Sequence, residues 1–222
     1  NYPNNPTTAF ASLEFFTEVV NLCLKYNVYI LSDIAYSEIY FNESPPPSIL
    51  QVPRALEIAV EFSSLSKTYS MPGWRIGFAV GNNKLIAALA KIKSYLDYGA
   101  FTPVQVAGIA ALNGPQECVK EIRKIYLNRR NTLVEGFNRI GWNMDLPLGT
   151  MFVWAPIPER FKSIGSLEFS KILLKNGKVA VAPGIGFGSK GEGFVRIGLV
   201  ENEHRIRQAI KNVKIFFDTY GN

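Results

Sequence analysis

Lys67 closes a hydroxyl-rich run, Ser63-Ser64-Leu65-Ser66-Lys67, and Arg75 follows it eight residues later across Pro72-Gly73. A lysine amine can attack a carbonyl to form an imine and can carry protons to and from carbon. Upstream, Asp33 ends the segment VYILSD, with Tyr36 three residues on, and Asn5 lies in the opening turn. A carboxylate can keep a ring nitrogen protonated, a phenol or amide can donate to a ring oxygen, and hydroxyls with a guanidinium suit a phosphate. Each residue also has a plain reading. An Asp after a strand caps a helix, a lysine in a polar loop is solvated, an arginine beside a glycine turn clamps backbone, and Asn-Pro makes a turn. Singly they carry little; the chemistry lies in the set.

The elements that must position this set read as α/β throughout. Phe10 to Tyr26 has the apolar recurrence of a helix, with Ser12 as its N-cap. Val28 to Leu31 predicts a strand, and its continuous apolar character suits a sheet covered on both faces. Glu57 to Phe62 predicts a second strand, Ser63 to Lys67 a polar loop, and Arg75 to Val80 a third strand. A helical face over Lys84 to Tyr95 precedes a longer helical region that opens at Pro103, breaks at Gly114-Pro115 and resumes over Val119 to Ile140. Beyond Gly141 the pattern is strand Met151–Trp154, helix Leu167–Asn176, strands Val179–Ala182 and Phe194–Leu199, and helix Arg205–Tyr220. In open α/β sheets, ligands bind beyond the carboxyl ends of strands, where Asp33 and Lys67 fall. A domain boundary is expected between Tyr98 and Gly141, dividing the chain into 1–115 and 116–222.

The 222 residues are 47% hydrophobic and 19% charged, the balance of a globular chain with a buried core. No apolar run approaches the ~20 residues that cross a bilayer, so no membrane partner is expected. The net charge of +6 comes from basic residues spread along the chain. That argues against nucleic acid and is compatible with small anionic ligands. Cys23 and Cys118 read as two buried free thiols in a reducing cytoplasm. The single histidine, His204, lies in polar ENEHR and excludes a His-rich metal site. Asn1 to Thr8 opens the chain inside a turn-rich connector, which suggests that an N-terminal portion precedes it.

Amine, carboxylate, phenol, hydroxyls and guanidinium are together the parts that pyridoxal-phosphate (PLP) catalysis requires. The segment SLSKTYSMPGWRIGF, Ser64 to Phe78, resembles the lysine signature of class I/II aminotransferases of PLP fold type I. SDIAYSEIYF, Ser32 to Phe41, resembles the Asp-x-x-Tyr segment of that family, and NYPNNPT, Asn1 to Thr7, its Asn-Pro-Thr turn. FVRIGL, Phe194 to Leu199, is similar to the strand that presents its substrate-binding arginine. Order and spacing agree over the whole chain. The resemblance implies the remainder of a large mixed-sheet domain followed by a C-terminal small α+β domain. Lys67 would hold the cofactor covalently and relay the proton, and Asp33 would pair with the ring nitrogen. Tyr36 and Asn5 would bind the ring oxygen, while Ser64, Ser66 and Arg75 would hold the phosphate. Arg196, with Asn5, would fork onto the substrate α-carboxylate. Thr8 departs from the pattern, since many relatives have glycine after Asn-Pro-Thr. The family's backbone phosphate loop, the aromatic ring that stacks on the pyridine and a tyrosine given by the partner subunit would lie upstream of Asn1. The chain would correspond to roughly the C-terminal 55–60% of a relative.

Within the family, KSYLDYGAFTPVQVAGIAAL and the pair SLEFSKILL and VAVAPGIGFG resemble bacterial glutamate–pyruvate (alanine) aminotransferases. The expected activity is amino transfer between an amino acid and a 2-oxo acid, by a cytoplasmic homodimer that uses PLP and no metal. Aspartate or LL-diaminopimelate aminotransferase is the neighbouring reading. A PLP lyase on the same scaffold and a non-catalytic fragment are the further alternatives.

Overall fold

The computed structural model describes residues 1–220, which form two compact units. The first gathers Asn1–Asn4 and Ala9–Arg123; the second gathers Asn5–Thr8 with the chain from Lys124 onward.

In the first unit, helix α1 (Leu13–Tyr26) starts at Ser12, whose Oγ accepts from the Phe15 amide at 3.2 Å, and ends at Asn27 in the left-handed region. Phe16 and Val20, one turn apart, turn inward against Ile49, Val52, Ala55, Ile58 and Ala59. The sheet that follows has the order β1-β2-β3, with β1 (Ile30–Asp33), β2 (Ala59–Ser64) and β3 (Gly77–Gly81). β1 and β2 run parallel with Asp33 opposite Phe62, and β2 and β3 run antiparallel with Ser64 opposite Gly77. The parallel pair is joined by residues 34–58, the long crossover that parallel strands need.

Each strand begins about two residues later than its apolar run suggests. Asn27 closes α1 and its neighbours Val28 and Tyr29 are exposed, so pairing starts only at Ile30. Residues 55–57 wind into a 3-10 turn, which delays β2 to Ala59. The sheet is not covered on both faces as its apolar strands predict: Leu31 is 69% exposed, and Phe78 and Val80 are exposed with it. The polar loop expected around Lys67 is a one-turn helix, α2 (Leu65–Thr68). Ser63 and Ser64 belong to β2, and Ser64 caps α2 by accepting from the Ser66 amide. Helices α3 (Asn83–Leu96) and α4 (Thr102–Asn113) follow, and α5 (Glu117–Arg139) carries the chain into the second unit.

The second unit has a fully antiparallel sheet, β4-β6-β5, with β4 (Phe152–Pro156), β5 (Ala182–Pro183) and β6 (Phe194–Gly198). Of the strand expected at Val179–Ala182 only Ala182 pairs, together with Pro183, before a 3-10 segment begins at Gly184. Helices α6 (Gly165–Gly177) and α7 (Glu203–Tyr220) join the end of α5 around a dense aromatic core. Trp142, 1% exposed, packs on Phe137, Phe169 and Phe217, and its indole N–H donates to the Pro156 carbonyl at 2.8 Å. A buried indole needs such an acceptor.

Both cysteines are free, but they are not both buried: Cys23 is partly covered and Cys118 is exposed near the start of α5. Among the described residues no helix is long and apolar enough to cross a membrane.

Candidate active site

Asp33 is the last residue of β1, and pairing continues one step further through the Ile34 amide to the Phe62 carbonyl at 2.9 Å. No helix follows, so Asp33 is not a helix cap. Its Oδ1 accepts from the Ala35 amide at 3.0 Å and closes an Asx turn. Its Oδ2 accepts from the Asn1 side-chain amide at 2.8 Å. Both carboxylate oxygens are thereby oriented. Tyr36 is buried within the same turn, where its carbonyl accepts from the Ile39 amide.

The neighbouring strand β2 leads into the lysine turn at the same end of the sheet. Lys67 is half-buried on α2, and its ammonium makes no ion pair or hydrogen bond among the described residues. A lysine head group held in that state keeps its nitrogen available for covalent chemistry. Ser66 is buried beside it. The Leu65 amide donates to the Ile76 carbonyl at 3.2 Å, which ties the lysine turn to the segment that carries Arg75. Arg75 sits in the left-handed region at φ 50°, exposed, with Nη1 donating to the Pro72 carbonyl at 2.9 Å. The plain reading of this arginine as a backbone clamp is therefore realised, beside any further role.

Glu61 was not singled out by its sequence, although a charge inside the apolar run EIAVEF is the signal that marks it. It is only 3% exposed, one strand over from Ser32. Its carboxylate accepts from Ser48 Oγ at 2.7 Å, the Ile49 amide at 2.9 Å and, at a longer 3.4 Å, Ser32 Oγ. A buried carboxylate is tolerated when its lone pairs are met in this way. Here it pins the crossover to both strands that end at Asp33 and Ser64.

A cavity of about 500 Å³ lies in the same unit. Ser64, Tyr69, Glu38, Gln116 and Arg123 line it, and Lys67, Asp33, Tyr36 and Arg75 do not. Tyr69 donates its hydroxyl to Gln116 at 2.8 Å; burial pushes that phenol up, against the pull of the hydrogen bond. Of the candidate set, Ser64 alone faces this cavity.

In the second unit, Arg196 lies at the middle of β6, flanked in register by Trp154 and Ala182. Its Nη1 donates to Asn5 Oδ1 at 2.6 Å, and its guanidinium lies over the rings of Phe152 at 4.3 Å and Phe187 at 4.6 Å. Asn5 belongs to the short N-terminal piece that packs with this unit. Thr8, at the end of that piece, has φ 61°. A β-branched residue is strained there, and glycine would relieve it.

The first unit thus contains Asp33 and Tyr36 after β1 and Ser64, Ser66, Lys67 and Arg75 after β2, and in the second Asn5 meets Arg196. The donor set fits PLP: an uncommitted amine, an oriented carboxylate, a buried phenol, two serine hydroxyls and a guanidinium. No group of three or more His, Cys, Asp or Glu side chains among the described residues could hold a metal. The lysine turn and the carboxylate thus stand at the ends of the parallel pair of a mixed sheet.

Comparison with known proteins gives the family. The model for aminotransferase class I and II matches residues 1–213, and the chain belongs to that family. It is 58% identical over 219 residues to a putative aminotransferase of Rhizobium meliloti, covering 99% of this chain and 54% of that protein. It is 53% identical over 220 residues to the glutamate-pyruvate aminotransferase of Escherichia coli, covering 99% and 53%. Substrate-bound BacF from Bacillus subtilis superposes with a TM-score of 0.93 at 36% identity, covering 97% of this chain and 55% of that one. The chain spans about half the length of the curated relatives it matches.

Proposed function

We propose that the protein containing this chain is a PLP-dependent aminotransferase that moves an amino group between alanine and 2-oxoglutarate, giving pyruvate and glutamate. The observation that carries this reading is the Lys67 turn and the oriented Asp33 at the ends of adjacent parallel strands. The 53% identity to a glutamate-pyruvate aminotransferase supports the substrate pair. LL-diaminopimelate is the second reading, favoured by relatives of that name at 43–48% identity.

PLP, when bound, supplies an electron sink for the pair of electrons left at the substrate α-carbon. The chain's own residues do the rest. Lys67 would anchor the cofactor and would take and return the α-proton. Asp33 would hold the ring nitrogen protonated, and Tyr36 and Asn5 would donate to the ring oxygen. Ser64, Ser66 and Arg75 would grip the phosphate, and Arg196 with Asn5 would bind the substrate α-carboxylate. We further propose the division of the chain into 1–115, the large-domain portion, and 116–222, the small domain, within a cytoplasmic homodimer. Two cysteines without a disulfide fit a reducing compartment. The experiment is an assay of the full-length enzyme with alanine and 2-oxoglutarate beside aspartate and LL-diaminopimelate. Fastest turnover of alanine is expected, and no transamination of alanine beside rapid use of another donor would overturn the substrate pair.

A further inference from the structure

Arg196 is held more tightly than a fork for a carboxylate requires. Its guanidinium carbon stands over two rings, 4.3 Å from the centroid of Phe152 and 4.6 Å from that of Phe187. The rings come from different places. Phe152 is buried on β4, two residues before Trp154, which stands opposite Arg196 in the sheet register. Phe187 ends the 3-10 segment Gly184–Phe187 and is 41% exposed.

That exposed ring is nevertheless fixed. Trp154 meets Phe187 edge-on at 5.8 Å and stacks on Phe194 at 5.4 Å, forming an aromatic wall beside the arginine. The turn is fastened at its base, where Gly184 and Gly191 pass so closely that a Cβ on either would collide with the other's carbonyl. Ser166 fastens it again, its Oγ accepting from the Ile185 amide at 3.1 Å and donating to Glu192 at 3.0 Å. Glu192 also accepts from the Ser166 amide at 2.5 Å.

A guanidinium donates hydrogen bonds only in its own plane, while its faces are weakly hydrated and pair with aromatic rings. Two rings within 4.6 Å of the guanidinium carbon and Asn5 on Nη1 therefore crowd the ion and favour acceptors that lie in its plane. A planar carboxylate presents two oxygens in that plane; a tetrahedral oxyanion carries a third oxygen out of it, toward the rings.

We propose that Phe152 and Phe187 are positioning and specificity-determining residues that act through Arg196, making its site selective for planar carboxylates over tetrahedral oxyanions such as sulfonates. The inference rests on the reading that Arg196 binds the substrate carboxylate. Its test is calorimetric titration of the full-length, PLP-loaded enzyme with propionate and with ethanesulfonate, which match in chain and charge and carry no reactive amine or carbonyl. The unaltered enzyme should prefer propionate by about ten-fold. Phe187→Leu and Phe152→Leu should each weaken propionate about five-fold and bring the preference to near unity, while Phe187→Tyr retains it. An unchanged preference in Phe187→Leu overturns the clamp, and because this ring is exposed at a turn the outcome does not depend on Phe152→Leu folding. Arg196→Lys separates the two claims: unchanged propionate binding there overturns the carboxylate reading itself, whereas lost binding with an unchanged preference in both leucine variants overturns the clamp alone.

Discussion

The two units equip their key cations in opposite ways. Lys67 lies half-buried with no polar partner among the described residues, on a single turn of helix in a unit whose sheet leaves Leu31, Phe78 and Val80 exposed. Arg196 lies on the central strand of its sheet, against two rings and an amide oxygen, above a core rich in aromatic side chains. The contrast suits the chemistry proposed for each. An amine that forms and breaks bonds cannot be committed to an ion pair, since the pair would oppose its deprotonation. A guanidinium that only recognises is improved by every contact that fixes its direction, because ordering is then complete before the ligand arrives.

The largest effect should come at the uncommitted cation. Lys67→Ala is expected to lower transamination by at least ~10²–10⁴-fold, the usual range for a lost acid–base group, with little change in melting temperature; an equal loss of stability would mean that the lysine is structural. Next is the core beneath the clamp. Trp142→Ala should destabilise the second unit by about 3–5 kcal/mol in denaturant unfolding, and a cost below about 1 kcal/mol would break the contrast between a dense unit and an open one. Glu61 is the exception within the open unit, a well-satisfied buried group. Glu61→Leu leaves the Ser48 hydroxyl and Ile49 amide without their acceptor and should cost about 1–3 kcal/mol. Thr8→Gly should run the other way, relieving a left-handed threonine at φ 61° and stabilising by up to ~1 kcal/mol.

The smallest effect concerns pH. The Gly193 amide, then the Ser166 amide, hold the Glu192 carboxyl below its ordinary value of 4.5. A carboxyl lowered in the folded state binds fewer protons there than in the unfolded chain, so its contribution is present above about 4.5 and is lost as the pH falls through the lowered value. Thermal melts across that acid range should show Glu192→Gln losing less stability on acidification than the unaltered chain, and parallel curves would remove Glu192 from the fastening of the Phe187 turn.

Much of the architecture is legible in the residues. Ser12 caps α1 as its type and position indicate, and the periodicity from Arg205 onward marks α7 to within two residues. The serine-flanked Lys67 and the Asp33-x-x-Tyr36 spacing mark the ends of β1 and β2. What is illegible depends on local competition or on distant contact. Val28 and Tyr29 have strand propensity, yet Asn27 ends α1 beside them and leaves them unpaired. Polar Ser64-Leu65-Ser66-Lys67 reads as loop, but Ser64 supplies the cap that lets one helical turn form. Of the strand expected at Val179–Ala182 only Ala182 is paired, and pairing runs one residue beyond it to Pro183. Phe152, Phe187 and Arg196 come from β4, a 3-10 turn and β6, and no local pattern announces that the three meet. Glu61 gave a visible signal, a charge in an apolar run, whose meaning required knowing where Ser48 and Ile49 would fall.

The most direct test of the central assignment is chemical trapping at Lys67. Full-length protein loaded with PLP, reduced with borohydride and digested should yield one modified peptide, heavier by a pyridoxyl phosphate group on Lys67, with the modification absent in Lys67→Ala. Trapping at another lysine, or none in protein that has been saturated with PLP, would contradict the assignment of Lys67 as the residue that holds the cofactor.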